Sequence, residues 1–423
     1  MVQPASDPPH AVMYAYPWDL YAPGAPAAVE RLVACGVDAV QLAVSYHVAS
    51  FLTPRDPSAR VRPGDLGSLL FDPDRRTELH DLGPGGPDPD RVDPEPWPLD
   101  PPVAPAVRSA PPHAALVDAA HARGLHAYAW VVFLYNHVLA GARPDLAVRN
   151  AYGDRHPAQL CPANPTVRAY ARRLADATAR LAPFDLVVCE SLCFLPYDYG
   201  LLNHKAAVRP HERARLLLGL CFCEHCRSAA EHDGVNMDAL AAAVRADLDA
   251  HLAALPDRAG PERSDLTWSD PDADAAFATF LRARERSATS LQLEVLGRLR
   301  SADVRVGSSS VEMPDPRVTG LDVGQVRPLL HELRIDVAPS ATAEAIARSA
   351  SWARQHAPDD LPLYAMLMLD AFDSERTFAE TLARARRAGV HRFRFYAYGQ
   401  MTERQLAWLE THRNSWRPGS EAP

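Results

Sequence analysis

The chain has 423 residues, of which 47% are hydrophobic and 23% charged, a composition typical of a soluble globular protein. A net charge of −9 argues against nucleic acid or an anionic membrane surface as the main partner. No apolar stretch is long enough to span a bilayer, and the N-terminus lacks the features of a secretory signal, so we expect a cytoplasmic protein. An odd number of cysteines, three of them clustered, favours reduced thiols and a metal over disulfides.

Strand-like and helix-like segments alternate along the chain. Short apolar runs rich in β-branched or aromatic residues predict eight buried parallel strands, at 12–16, 39–44, 126–133, 186–190, 304–309, 335–338, 363–369 and 393–398. Helical patterns lie between them, at 27–35, 113–123, 166–181, 277–302, 343–355 and 377–388. Gly36, Gly124 and Gly389 follow three of these helices at the position where glycine often ends a helix. The alternation predicts an α/β fold, a (β/α)8 TIM barrel forming a single domain over 10–416.

Two long insertions interrupt this alternation. Residues 49–112, after the second strand, are dense in Pro and Asp and should lie over the active face, as a pocket wall or as a solvated loop. Residues 191–276, after the fourth strand, carry the clustered cysteines and a helix near 237–255, followed by a polar linker at 256–272. The last residues, 417–423, read as a frayed tail.

The carboxyl ends of barrel strands carry the catalytic groups in enzymes of this fold, so the residues there are the candidates. They are Tyr14, Tyr16, Trp18, Asp19, Tyr46, His47, Trp130, Tyr135, Asn136, Glu190, Glu312, Ser340, Asp370, Tyr396, Tyr398 and Gln400. Aromatic rings stack on the apolar faces of sugars, while carboxylates and amides bind hydroxyls. The set therefore favours a carbohydrate site, although any single ring could equally be packing at the barrel rim.

Glycoside cleavage needs two carboxyl groups flanking the bond. Glu190 ends an apolar strand, where a glutamate is seldom found without a role, and it is our candidate for the general acid/base. Asp370, after the seventh strand, is the first candidate for the nucleophile, and Glu312, after the fifth, is its rival. The alternatives are an ion-pair role for Glu190 and a hydroxyl-binding role for Asp370.

A cysteine cluster predicts a metal site. Cys221, Cys223 and Cys226 form a C-x-C-x-x-C motif that can bring three thiolates to one tetrahedral ion. Four closed ligands would make the site structural, and the alternative is a set of reduced cysteines packed beneath the loop. The candidates for the fourth ligand are Cys161, Cys189, Cys193, His204 and His225.

The order of these features resembles the glycoside hydrolase family 42 β-galactosidases and their uncharacterised barrel relatives. The similarity covers about residues 120–230 and rests on three pieces: the segment 143–165 with its Cys161-Pro162-Ala163-Asn164-Pro165, the fourth-strand Glu190, and the clip 221–227. The resemblance implies an acid/base role for Glu190. It also implies a structural Zn²⁺ held by Cys161, Cys221, Cys223 and Cys226.

This chain departs from that family at two positions. Cys189 stands where the family has an Asn before its acid/base, and Asp370 stands where the family has a Glu as nucleophile. The shorter side chain would withdraw the carboxylate by about one methylene, while retaining enzymes need the two groups about 5–5.5 Å apart. The activity of the family is therefore a weaker expectation than its fold.

The sequence as a whole predicts a glycosidase, of the retaining class, that cleaves or transforms a small glycoside or glycosylated metabolite. The alternative is a catalytically inactive sugar-binding barrel, a pseudoglycosidase. A metal-dependent hydrolase is disfavoured, because the first strand has no His-x-His and the histidines are scattered. A homo-oligomer is expected only by analogy. The predicted substrate-binding residues are Tyr16, Trp18, His47, Trp130, Asn136, Tyr197 and Tyr398.

Overall fold

A computed structural model describes residues 7–21, 24–63, 68–73, 97–107, 113–200, 210–253, 271–312 and 316–417. Eight parallel strands in them form a nearly closed barrel with the neighbour order β5-β4-β3-β2-β1-β8-β7-β6. The predicted (β/α)8 TIM barrel is therefore confirmed. The strands are β1 (Ala11–Ala15), β2 (Ala39–Tyr46), β3 (His126–Val132), β4 (Leu186–Glu190), β5 (Arg305–Ser308), β6 (Leu333–Asp336), β7 (Leu363–Met368) and β8 (Arg392–Tyr396).

Helices surround the barrel, and none of those described combines the length and apolar character that a membrane span needs. The α-helices are Pro17–Tyr21, Ala25–Ala34, His113–His121, His137–Ala142, Pro165–Leu181, Glu212–Leu218, Glu224–His232, Met237–Ala253, Pro271–Ser301, Pro316–Thr319, Val323–Val326, Ala343–Arg354, Glu375–Arg387 and Glu403–His412. Short 3₁₀ turns are Pro105–Val107, Ser309–Glu312, Arg327–Leu329, Leu369–Ala371, Tyr398–Gln400 and Arg413–Ser415.

β5 and β6 are the two ends of the hydrogen-bonded strand order, so the barrel is held together there by other contacts. His331, just before β6, donates its backbone N–H to the carbonyl of Val306 at 2.9 Å, and the N–H of Val306 donates to Nδ1 of His331 at 3.0 Å. Gly307 allows Glu332 to approach, because a Cβ at this position would lie 2.7 Å from its Oε1. The prediction set β6 at 335–338, two residues late, because the inward-facing Arg334 interrupts the apolar pattern.

A buried charged group fills the middle of the barrel. Alternation along β8 points Phe393 and Phe395 outward, toward Trp416, and turns Arg394 inward. Arg394 is fully buried, where it pairs with Glu332 and donates to Gln41. Arg394 lies two residues before the end of β8, so this pair fills the middle of the barrel. The carboxyl end of the barrel stays available for binding.

The two insertions are described in part. In the first, Ser50–Leu52 pairs with Val61–Pro63 as a hairpin, and Ser68–Leu69 pairs antiparallel with β2. The Pro- and Asp-rich residues 74–96 lie outside the described residues. In the second, the helices Glu224–His232 and Met237–Ala253 pack on the long helix Pro271–Ser301, and Glu212–Leu218 packs on Met237–Ala253. Together they form a separate apolar cluster that includes Val244, Leu248 and Phe280. Residues 256–270 of the predicted linker 256–272 lie outside the described residues.

Candidate active site and metal centre

Glu190 ends β4, and hydrogen bonds hold both of its carboxylate oxygens. Trp130 Nε1, from β3, donates to Oε2 at 2.6 Å, and the hydroxyl of Tyr199, from the loop after β4, donates to Oε1 at 3.3 Å. Ser191 follows with a φ of 55°, in the left-handed region that residues with a side chain seldom adopt. The chain therefore turns sharply after Glu190 and leaves its carboxylate at the mouth of the barrel.

The hydroxyl groups of three tyrosines beside this carboxylate are hydrogen-bonded to one another. The Tyr396 hydroxyl lies 2.6 Å from that of Tyr16 and 3.0 Å from that of Tyr46. Burial raises the pKa of each phenol, and the nearby Glu190 adds to the effect on Tyr46, so all three are neutral at pH 7. Two hydrogen bonds use two of the three hydroxyl protons. The Gln400 side chain also hydrogen-bonds to the Tyr396 hydroxyl, so the cluster is a connected set of neutral hydrogen-bonding groups.

Four of the predicted substrate-binding residues come together here. Trp18 stacks on Tyr16 with ring centroids 5.0 Å apart, and Trp130 meets Tyr46 edge-on at 4.9 Å. His47 stacks on Tyr46 at 4.1 Å, and burial lowers the pKa of its imidazole. The result is an aromatic enclosure around a carboxylate, built from β1, β2, β3 and β8.

The other three predicted substrate-binding residues occupy different settings. Asn136 caps the helix His137–Ala142, since its side-chain oxygen accepts from the N–H of Leu139 at 3.0 Å. Tyr398 is buried, with the guanidinium of Arg55 4.3 Å from its ring centre. Tyr197 is half-buried in the loop after β4. Their roles in sugar binding stay predictions.

The candidate partners of Glu190 both follow barrel strands. Asp370 lies in the 3₁₀ turn Leu369–Ala371 after β7, and its side chain is exposed. Glu312 ends the 3₁₀ turn Ser309–Glu312 after β5, but its side chain lies outside the described part of the chain. The pairing of either one with Glu190 stays a prediction.

Sequence reasoning missed some residues of this site. Tyr46 and Tyr396 were recognised at strand ends but not chosen, and the hydroxyl contact that unites them has no signal in the sequence. Tyr199 lies in an irregular loop; the charge of Glu190, followed by burial, raises its pKa. Arg334, within β6, donates to the Tyr14 hydroxyl at 2.7 Å. An arginine inside a short strand is the signal that could have located it.

Four buried cysteines form the second centre. Their sulfur atoms all lie within 4.8 Å of one another, and Cys161 Sγ is 3.5 Å from Cys223 and Cys226 and 3.8 Å from Cys221. Tetrahedral Zn–S bonds of about 2.3 Å place sulfurs about 3.8 Å apart, so the cluster fits such an ion. Among the candidates for the fourth ligand, the structure brings Cys161 into place; His204 lies outside the described residues.

The surroundings of the cysteines suit an anionic metal centre. Hydrogen bonds among the four thiols lower the pKa of Cys223 and raise those of Cys161 and Cys226, as expected when closely spaced thiols share protons. The buried guanidinium of Arg284 lies near the cluster, and burial lowers its pKa to about 10. The N–H of Arg149 approaches the Cys221 sulfur at 3.5 Å. A cation bound by four thiolates would carry net negative charge, which Arg284 partly offsets.

A separate cavity of about 220 Å³ lies between the helices Glu212–Leu218 and Met237–Ala253. Its lining includes His211, Arg213 and His251, and no lining residue belongs to a barrel strand. The cavity is therefore not part of the candidate active site.

No family model and no curated protein matches this sequence. Solved structures do match. The glycoside hydrolase domain of PgaB (BpsB) from Bordetella bronchiseptica has a TM-score of 0.57 at 14% identity, with 98% of this chain and 100% of that chain covered. The β-galactosidases from Marinomonas ef1 and Halorubrum lacusprofundi give 0.52 and 0.53 at 10% and 11% identity.

The chain spans only part of the two β-galactosidases, 58% and 57% of their lengths, and 95% and 96% of this chain is covered. At these identities the likeness shows the fold alone. The predicted resemblance to barrels of the family 42 type is confirmed at that level: the chain has the (β/α)8 fold of glycoside hydrolases.

Proposed function

We propose that the protein is a glycosidase of the retaining class that cleaves or transforms a small glycoside or glycosylated metabolite, with Glu190 as its general acid/base. The observation that carries the proposal is the position of Glu190. Its carboxylate lies at the carboxyl end of β4, between Trp130 and Tyr199, within an aromatic enclosure. The fold shared with glycoside hydrolase domains supports the same reading.

In this mechanism the enclosure binds one sugar ring against its aromatic faces. Glu190 protonates the leaving oxygen and later takes a proton from water, while the second carboxylate attacks the anomeric carbon. We propose Asp370 for that attack, with Glu312 as the rival. The hydroxyl groups of Tyr16, Tyr46 and Tyr396 would hydrogen-bond to a hydroxyl of the sugar. Trp130 and Tyr199 would hold the Glu190 carboxylate in one orientation.

We also propose that the four cysteines hold Zn²⁺. Bound there, the ion would supply a closed, structural centre with no open position for substrate. It would tie Cys161, in the loop after β3, to Cys221, Cys223 and Cys226, in the loop after β4. The two loops that follow the Trp130 and Glu190 strands would then be fixed relative to one another.

A sugar-binding barrel without turnover is the second candidate. Two observations favour it: Cys189 stands in the place of the family's Asn, and Asp370 is an exposed aspartate in a turn. Such a protein would bind carbohydrate through the same aromatic enclosure.

The experiment that tests the proposal is a screen against nitrophenyl α- and β-glycosides. Glu190→Gln and Glu380→Gln are run beside the wild type; Glu380 lies exposed on the outer helix Glu375–Arg387 and is the matched control. We expect at least one substrate to be hydrolysed, with a loss of about 10³-fold in Glu190→Gln and none in the control. Full activity in Glu190→Gln would refute the assignment, and silence across the panel would favour the sugar-binding barrel.

A further inference from the structure

We propose that a second sugar unit of the substrate binds next to the Glu190 enclosure, at a polar cluster formed by Tyr135, His137, His156 and Gln159. The proposal rests on the glycosidase function proposed above and narrows its substrate class. The preferred substrate would be an oligosaccharide or a disaccharide glycoside, not a glycoside of a single sugar.

The position of Tyr135 connects this cluster to the candidate active site. Tyr135 follows β3, and its ring centroid lies 5.2 Å from that of Tyr199 and 5.0 Å from that of His47. Tyr199 in turn donates to the carboxylate of Glu190. One aromatic ring, that of Tyr199, therefore separates Tyr135 from the proposed acid/base, which places the cluster beside the enclosure proposed for the first sugar unit.

Gln159 supplies the observation that points to a ligand. Its side chain is fully buried, yet neither its amide nitrogen nor its amide oxygen has a hydrogen-bond partner in the described structure. The hydroxyl of Tyr135, itself 2% exposed, is unpartnered as well. The two residues form an antiparallel bridge, which turns their side chains to the same side. Buried polar groups are nearly always paired, so these atoms require a partner that the protein does not supply.

Of the two histidines, His137 adds a further unpaired atom, whereas His156 is bound by backbone groups. His156 Nδ1 accepts from the N–H groups of Ala158 and Gln159 at 3.2 and 3.0 Å, so the ring proton of the neutral imidazole lies on Nε2. The backbone of Tyr197 hydrogen-bonds to this imidazole, so His156 is held in place by the protein at the edge of the cluster. Nδ1 of His137, whose ring lies 5.1 Å from that of Tyr135, is buried without a hydrogen-bond partner in the described structure.

The charge state of the cluster indicates the class of ligand. Burial lowers the pKa of His137, lowers that of His156 to about 4 and raises that of Tyr135 to about 12. All three are therefore neutral at pH 7, as is Gln159. A set of neutral donors and acceptors matches sugar hydroxyls, because an ionic ligand would find no opposite charge among these four side chains.

The metal centre would make this subsite rigid. Gln159 and His156 belong to the strand Arg155–Leu160, which pairs with Ala147–Arg149, and Cys161 follows that strand directly. A metal ion held by Cys161 would anchor the strand to the loop after β4. The proposed zinc and the proposed subsite therefore belong to one structural unit.

The test compares two chain lengths of the same sugar. The nitrophenyl glycoside that the wild type hydrolyses is measured beside its disaccharide homologue, with Tyr135→Phe, Gln159→Leu and the control Tyr152→Phe. Tyr152 is an exposed tyrosine outside the cluster. We expect the wild type to favour the disaccharide at least tenfold in kcat/KM, and both cluster variants to lose that preference. Tyr152→Phe should keep it.

Tyr135→Phe guards against misfolding, because it removes only a hydroxyl that has no partner, and its melting temperature should equal or exceed that of the wild type. An equal kcat/KM for both chain lengths, or an unchanged preference in Tyr135→Phe, would overturn the subsite and leave the Glu190 activity standing. The cluster would then hold only ordered water.

Calorimetric titration with the free monosaccharide and disaccharides separates the two proposals if no substrate is hydrolysed. Disaccharide binding that is at least tenfold tighter than that of the monosaccharide, and that Tyr135→Phe abolishes, would support the subsite while the glycosidase proposal fails. The absence of both hydrolysis and binding would refute the subsite together with the activity.

Discussion

The Glu190 site and the four-cysteine cluster involve the same pair of loops, after β3 and β4, but they handle buried ionisable groups in opposite ways. Around Glu190, neutral donors from Trp130 and Tyr199 surround a single carboxylate, and neighbouring phenols bond to one another. In the cysteine cluster, the sulfur of Cys161 lies 3.5–3.8 Å from the sulfurs of the other three cysteines. In the first arrangement the protein itself supplies hydrogen bonds to the carboxylate, whereas the second has the geometry to hold a metal ion. The difference is why we propose a chemical role for the first and a structural role for the second.

The largest expected effect concerns the second carboxylate, which the proposed glycoside cleavage requires beside Glu190. Asp370→Asn should lower kcat by about 10³-fold, because removing a nucleophile removes an interaction made in the transition state. Steady-state rates for Asp370→Asn and Glu312→Gln, on the substrate found in the screen, check this. A loss in Glu312→Gln alone would transfer the role to Glu312, and no loss in either would refute the carboxylate pair.

The cysteine cluster should respond in stability and metal content. Cys223→Ser should lose the bound zinc and lower the free energy of unfolding by about 3 kcal/mol or more, since metal binding energy at a structural site is folding energy. Metal analysis and thermal denaturation measure the two effects. Cys35→Ala is the matched control, because Cys35 is a buried thiol outside the cluster. Equal zinc content and melting temperature in Cys223→Ser and wild type would remove the metal centre from the account.

A buried histidine outside both centres should make the folded protein less stable at acidic pH. Burial lowers the pKa of His113 to about 4, and its Nε2 donates to the carbonyl of Ala43 at 3.1 Å. The unfolded chain takes up this proton near pH 6.5 and the folded chain only near pH 4, so stability falls as the pH drops through that window. From pH 7 to pH 5 the loss from His113 should be about 2 kcal/mol.

Denaturant titrations of wild type and His113→Gln at the two pH values check this prediction. Glutamine keeps a donor but does not titrate, so the variant should lose about 2 kcal/mol less than the wild type between pH 7 and pH 5. The same loss in both proteins would show that His113 does not contribute.

The smallest expected effect concerns Asn136, whose amide could be structural or could bind the sugar. Asn136→Ala should cost about 1 kcal/mol, because it removes the helix cap, whereas Asn136→Asp should keep the cap and nearly all the stability. If Asn136 also binds a sugar hydroxyl, Asn136→Asp should raise KM. An unchanged KM in Asn136→Asp, together with a less stable Asn136→Ala, would leave it a structural residue only.

The sequence was sufficient for the barrel because each strand carries its own signal. Runs such as Leu186–Glu190 are apolar on both faces, and a glycine ends several of the preceding helices. The boundaries were wrong where a polar side chain faces the interior, as with Arg334 in β6. The local sequence pattern therefore predicts which strands and helices exist. Their boundaries are predicted less well where a polar side chain faces the barrel interior.

The site was predicted less completely than the fold. Glu190 and the C-x-C-x-x-C motif were recognisable because strand position and spacing carry the information. The grouping of Tyr16, Tyr46 and Tyr396 depends on closure of the barrel between β1 and β8, across some 380 residues of chain. The residue pattern alone left the fourth cysteine ligand open, and the resemblance implied Cys161. The structure brings Cys161 to the other three, because the loop after β3 meets the loop after β4 in three dimensions.

The most direct measurement of the central claim compares aryl glycosides with good and poor leaving groups in Glu190→Ala and wild type. If Glu190 protonates the leaving oxygen, kcat/KM for a dinitrophenyl glycoside should change little in the variant, while that for a phenyl glycoside should fall by about 10³-fold. Equal losses for both leaving groups would contradict the acid/base role and make Glu190 a nucleophile or a binding residue.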